Sequence, residues 1–108
     1  YTIMVVDDSA FIVDVFVTML ERGGYKTIAT YGGQECLDVL KTERPDLILL
    51  DIMMEPMDGR ETLERIKTNP DTKEIPVMML TAKQLTPDEA QEYAIYVEDY
   101  VLKPITHR

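Results

Sequence analysis

Short apolar runs alternate five times along this chain with longer stretches, several of whose apolar residues recur at helical spacing, and that alternation leaves few choices of fold. The runs are Ile3 to Val6, Thr27 to Thr30, Leu47 to Leu50, Val77 to Leu80 and Tyr100 to Leu102. The central ones are apolar throughout, without the polar alternation of a strand that has one wet face. They predict a sheet buried on both sides, and such sheets are parallel, with helices as crossovers.

The first crossover is the most explicit. Phe11, Ile12, Val15, Phe16, Met19 and Leu20 recur at helical spacing, with Ser9 placed to cap the helix and Gly23 to stop it. A second helix, about Gln34 to Lys41, carries Cys36, Leu37 and Leu40 after the Gly32-Gly33 break. A third, about Gly59 to Thr68, offers Leu63 and Ile66 and ends before Asn69-Pro70. Thr86-Pro87-Asp88-Glu89 has the capping threonine, the proline at the first helical position and the glutamate of a helix start, so a fourth helix begins there. Only five residues follow Lys103, too few for a helix. The fifth crossover helix is therefore expected to be truncated or disordered, and the chain, which starts at Tyr1, to be an excerpt of a longer one.

The 108 residues, 45% hydrophobic and 29% charged, fit one domain spanning 1–108. Eleven basic against twenty acidic residues give a net charge of -9 with no basic cluster, which argues against direct nucleic-acid binding. The apolar runs are far shorter than the roughly 20 residues that span a bilayer. The single cysteine, Cys36, cannot form an internal disulfide and is read as a core residue; with no secretory signal visible, a reducing, cytoplasmic setting is expected.

In parallel alternating folds the functional groups collect beyond the carboxyl ends of the strands. Here those ends carry Asp7 and Asp8 after the first strand, Asp51 after the third, Thr81 after the fourth and Lys103 after the fifth. One polar residue leaving a strand means only that the chain is returning to water. Three carboxylates, a hydroxyl and an ammonium along one edge mean more. Carboxylates that converge repel one another, and a hard divalent cation is their natural neutraliser. Magnesium suits better than calcium, because few protein oxygens are offered and a calcium loop would need an oxygen ligand where Met53 stands. A carboxylate beside such an ion can act as a nucleophile toward phosphorus, and Asp51 is the candidate. Thr81 and Lys103 are then suited to receive the phosphoryl oxygens. The chain's only histidine, His107, lies in the tail, so the phosphoryl donor is expected to come from outside.

Val5-Val6-Asp7-Asp8-Ser9, Leu50-Asp51-Ile52-Met53-Met54, Met57-Asp58-Gly59, Met79-Leu80-Thr81-Ala82 and Asp99-Tyr100-Val101-Leu102-Lys103-Pro104 together resemble the motifs of response regulator receiver domains, the chemotaxis-regulator-like modules of two-component signalling. The resemblance covers nearly the whole chain. It implies a flavodoxin-like, doubly wound (βα)5 sandwich with a five-stranded parallel sheet in the order 2-1-3-4-5. It further implies that Asp51 is the phosphoacceptor and that Asp7, Asp8, Asp51 and the backbone carbonyl of Met53 hold Mg2+, with Mn2+ as a substitute. Lys103 would bridge to the phosphoryl group, Thr81 and Tyr100 would form the switch pair, and Lys103-Pro104 would be cis. The implied partners are a sensor histidine kinase or histidine phosphotransfer protein as donor and an output domain or downstream protein as receiver, with a phosphorylation-dependent homodimer left open. The response would pass through the face of the fourth helix and fifth strand.

Departures from the family pattern are local. Pro56 follows Glu55, whereas members of the family more often carry proline one place earlier, so the loop after Asp51 is expected to differ. Tyr96-Val97 stands where a Gly-Ala pair is usual. Met53 offers a thioether that cannot hold an attacking water, which predicts slow self-dephosphorylation. Such a chain is a switch with weak self-phosphatase activity, not a dedicated enzyme. A phosphorylation-independent interaction domain is the alternative within the same fold. An aspartyl-phosphate phosphatase would want a second aspartate at Met53, and a flavin-binding module would want a phosphate loop where Asp7 and Asp8 stand.

Overall fold

The computed structural model describes the backbone of residues 1–81 and 99–102 and the side chains of 1–80. In chain order the elements are β1 (Thr2–Val6), α1 (Ala10–Arg22), β2 (Lys26–Thr30), α2 (Gly33–Val39), β3 (Leu47–Asp51), α3 (Gly59–Thr68), β4 (Val77–Thr81) and β5 (Asp99–Leu102). All five predicted strands form, and they pair in parallel in the order β2-β1-β3-β4-β5. The flavodoxin-like doubly wound fold is therefore as the sequence indicated. The fourth helix expected from Thr86, the fate of a fifth, and the Lys103-Pro104 bond lie outside the described residues.

Strand side chains alternate between two cores. Met4 and Val6, Ile48 and Leu50, and Val77 and Met79 pack with Cys36 of α2 and with Leu63 and Ile66 of α3. Ile3, Val5, Leu49 and Leu80 pack on the opposite face with Val13 and Phe16 of α1. Both sets are buried, which is why the sequence of these strands shows no alternation. Each such side chain removed from water contributes about 1.5–3 kcal/mol.

Helix boundaries follow their caps. Ser9 Oγ accepts the amide of Ile12 at 3.4 Å, and the Gly23 amide closes the last turn of α1 on the carbonyls of Met19 and Leu20. The left-handed residue that turns the chain toward β2 is the next one, Gly24, at φ +93°. Asp58 Oδ1 accepts the Glu61 amide at 2.8 Å to start α3. Its exposed face carries the Glu61–Arg65 pair at 2.9 Å. Helix α2 ends at Val39, two residues short of the Lys41 expected, with tighter turns carrying the chain through Lys41 and Thr42.

The buried face of α1 keeps Phe16, with Ile12, Met19 and Leu20 packed beside it, but is rotated enough to take in Val13 and leave Phe11 out. Val13 and Phe16 are its buried residues, whereas Phe11, counted in the apolar stripe, is 69% exposed. Phe11 sits in the first turn, at the rim of the sheet's carboxyl edge, so its side chain has no sheet beneath it. Cys36 is fully buried as expected, with its Sγ 3.7 Å from Met4 Sδ. Burial, with a smaller push from the Glu35 charge, raises its thiol to about 12.

The rotation of α1 is testable by truncation: Phe16→Ala should lower the unfolding free energy by about 3–5 kcal/mol, and Phe11→Ala by no more than about 0.5 kcal/mol, as read from urea denaturation.

Candidate functional site: an acidic centre at the carboxyl edge of the sheet

The strand order reverses between β1 and β3, so the loops leaving these neighbours diverge and open a crevice. Val6 is in register with Leu50, and the next residues along each strand are Asp7 and Asp51. Parallel pairing thus sets two carboxylates side by side, and the reversal of winding leaves the space above them open.

Asp7 and Asp51 are 0% and 1% exposed, while Asp8 is exposed. One carboxylate oxygen from each of the three lies within 4.8 Å of the others. Two unit charges at that separation repel by roughly 3–4 kcal/mol at an effective dielectric constant of about 20. A divalent cation among these oxygens reverses the sign of the interaction, and an all-oxygen donor set is the kind that hard cations take. On this chemistry the residues fit such an ion.

Backbone amides fix the carboxylates. Asp7 Oδ1 accepts the Ser9 amide at 2.9 Å, and Asp51 Oδ1 accepts the Met53 amide at 3.1 Å. The Asp7 amide donates to the Thr30 carbonyl at 3.3 Å, while the Thr30 hydroxyl, itself fully buried, donates to the Val5 carbonyl at 3.1 Å. Thr30 thereby ties the end of β1 to β2, a role that nothing in its sequence position distinguished from an ordinary strand exit.

The segment after Asp51 is pinned from the other side. The Ile52 amide donates to the Leu80 carbonyl and the Gly59 amide to the Ile52 carbonyl, each at 3.0 Å. Gly59 lies so close to β3 that a Cβ there would stand 2.0 Å from the Asp51 carbonyl oxygen and 2.7 Å from Ile52 Cα. The need for glycine after Asp58 is therefore steric. Within the intervening loop the Glu55-Pro56 bond is cis.

Of the residues singled out in the sequence, Asp7, Asp8 and Asp51 are brought together. Met53 is 70% exposed beside them. Thr81 is the last residue of β4, one place beyond Leu80, the register partner of Asp51. Tyr100 pairs with Met79 on β5. Lys103 lies outside the described residues.

Comparison with known proteins agrees with this geometry. The profile of the response regulator receiver domain matches residues 3–108. The polar-differentiation response regulator DivK of Brucella anthropi is 35% identical over 105 residues, which cover 97% of this chain and 85% of that protein. The crystal structure of the N-terminal domain of a response regulator receiver protein from Methanoculleus marisnigri superposes with a TM-score of 0.94 at 71% identity, covering 96% of this chain and 85% of the other. The Mn2+-bound form of response regulator Rcp1 superposes with a TM-score of 0.83 at 32% identity, covering 97% and 82%. The chain belongs to the response regulator receiver domain family, the receiving module of two-component signalling. Among the described residues no helix is long and apolar enough to cross a membrane.

The contact at Gly59 gives a sharp expectation. Gly59→Ala should cost about 1–3 kcal/mol of stability, because backbone must move to admit the methyl group. Gly32→Ala, where a Cβ meets nothing within 4 Å, should change stability by no more than about 0.5 kcal/mol; paired urea titrations separate the two.

Proposed function

We propose that this chain is a phosphorylation-dependent switch in which Asp51 accepts a phosphoryl group from the phosphohistidine of a sensor histidine kinase or a histidine phosphotransfer protein. The observation that carries the reading is the convergence of the Asp7, Asp8 and Asp51 carboxylates within 4.8 Å at the sheet's carboxyl edge, two of them buried. Asp7, Asp8, Asp51 and the backbone carbonyl of Met53 are assigned to hold Mg2+, or Mn2+ in its place. When bound, the ion offsets the negative charge of the carboxylates and of the incoming phosphoryl group.

The remaining roles belong to the chain. Asp51 is the nucleophile: a carboxylate oxygen bonds to phosphorus as the phosphorus–nitrogen bond of the donor breaks, and the imidazole leaves with the bonding pair. The Met53 amide, by holding Oδ1, fixes the rotation of the carboxyl group and so the direction from which the other oxygen meets phosphorus. Thr81, ending β4, and Lys103, following β5, are assigned to the phosphoryl oxygens. Thr81 and Tyr100 are assigned to the switch, which would alter the face of β5 and of the helix expected from Thr86, read by an output domain or partner protein.

Incubation with acetyl phosphate and Mg2+ should add one phosphoryl group to the parent, seen by intact mass. Asp51→Asn should take none, and chelation of the metal should abolish the gain in the parent; an equal gain in Asp51→Asn would overturn the assignment. A thioether is a poor hydrogen-bond acceptor for water, and an amide is a good one. Met53→Asn should therefore shorten the aspartyl-phosphate lifetime by roughly 3–10-fold, part of what a positioned proton acceptor can supply, and an unchanged lifetime would remove Met53 from the account.

A further inference from the structure

The seven methionines of this chain differ sharply in exposure. Met4, Met54 and Met79 are buried and Met19, Met57 and Met78 partly so, whereas Met53 stands in solvent at the rim of the acidic centre. A thioether in water is open to two-electron oxidation, and one packed in a core is shielded from the oxidant. The other oxidisable sulfur, Cys36, is buried with its thiol held protonated well above neutral pH, and the thiolate is the form that oxidants attack. Exposure therefore selects Met53. Its backbone is held beside the acidic centre, because its own amide donates to Asp51 Oδ1 at 3.1 Å.

We propose that Met53 is a redox modification site: a hydroperoxide converts its thioether to a sulfoxide at the rim of the acidic centre, and the sulfoxide shortens the life of a phosphoryl group on Asp51. The second half rests on the reading of Asp51 as phosphoacceptor. In the step the sulfur attacks the distal peroxide oxygen, the oxygen–oxygen bond breaks, and a sulfur–oxygen bond forms. Sulfur is oxidised by two electrons, peroxide is reduced, and the displaced oxygen leaves with a proton as water or an alcohol. A thiol-dependent sulfoxide reductase reverses the change.

The consequence follows from hydrogen bonding. The thioether is a weak acceptor and orders no water beside Asp51. The sulfoxide oxygen carries a strong partial negative charge and accepts from water, which supplies at this rim the function that Met53→Asn would introduce by substitution. Oxidation thus converts a slow switch into a fast one without touching the carboxylates.

The test treats the full chain with a limiting amount of hydrogen peroxide, maps the added oxygen by peptide mass, and then measures the lifetime of the acetyl-phosphate-derived adduct. The first oxygen should map to Met53, and the lifetime should fall by roughly 3–10-fold relative to untreated chain. Met53→Leu, compared before and after peroxide, should show no such fall, and untreated Met53→Gln should decay faster than untreated Met53→Leu. First oxidation at another methionine, an unchanged lifetime in oxidised parent, or an equal response in Met53→Leu overturns the inference alone. Failure of the untreated parent to take a phosphoryl group overturns the phosphoacceptor reading, and the inference falls with it.

Discussion

Repulsion between two carboxylates held out of water is the constraint around which the rest of this molecule is arranged. Asp7 and Asp51 end adjacent strands, and the register that joins Val6 to Leu50 leaves them nowhere else to go. Burial denies them the dielectric screening that would let two such charges ignore each other. A scaffold that imposes this proximity must be stiff, since any slack in β1 or β3 would let the charges relax apart. Stiffness is what the double core provides: β1 and β3 are central in the sheet, and both their faces are packed.

The bonds closest to the site serve the same end. Each of the two buried carboxylates accepts an amide from two residues further on, Ser9 for Asp7 and Met53 for Asp51. These contacts fix the orientation of each carboxylate. Around them lie a hydroxyl brace at Thr30 and a steric stop at Gly59, which secure the strand ends from opposite sides. Neither touches a carboxylate oxygen in the described hydrogen bonds, yet both determine where the carboxylates stand.

Much of this was readable before any coordinates. The apolar runs, the cap at Ser9 and the stops at Gly23 and Asn69-Pro70 place the elements to within two residues where both are described, because strand burial and helix capping are local consequences of residue type. The acidic trio was equally plain, since a parallel sheet collects its strand exits on one edge. What the sequence hid depends on orientation. Phe11 was misplaced in a stripe whose Phe16, Ile12, Met19 and Leu20 do pack on the core, because periodicity identifies a helix face without saying whether its first turn overlies the sheet or overhangs it. Thr30 was invisible for a similar reason: a threonine ending a strand looks the same whether its hydroxyl meets water or a neighbouring carbonyl. Gly59 was noted as part of a motif, but the 2.0 Å approach that demands it is a fact of packing.

The methionines carry this distinction furthest. Met53 and Met54 are neighbours with the same side chain, and nothing in their composition separates them. The chain leaves β3 at Asp51, and the turn that follows sends Met54 into the core beneath α3 and Met53 out to solvent. One therefore contributes to the stiffness that holds the carboxylates together. The other stands in solvent at the rim of the acidic trio, where the proposed phosphoryl group would meet water. A single residue of displacement along a loop separates a structural role from a functional one, and only the burial of the strand that precedes it decides which residue receives which.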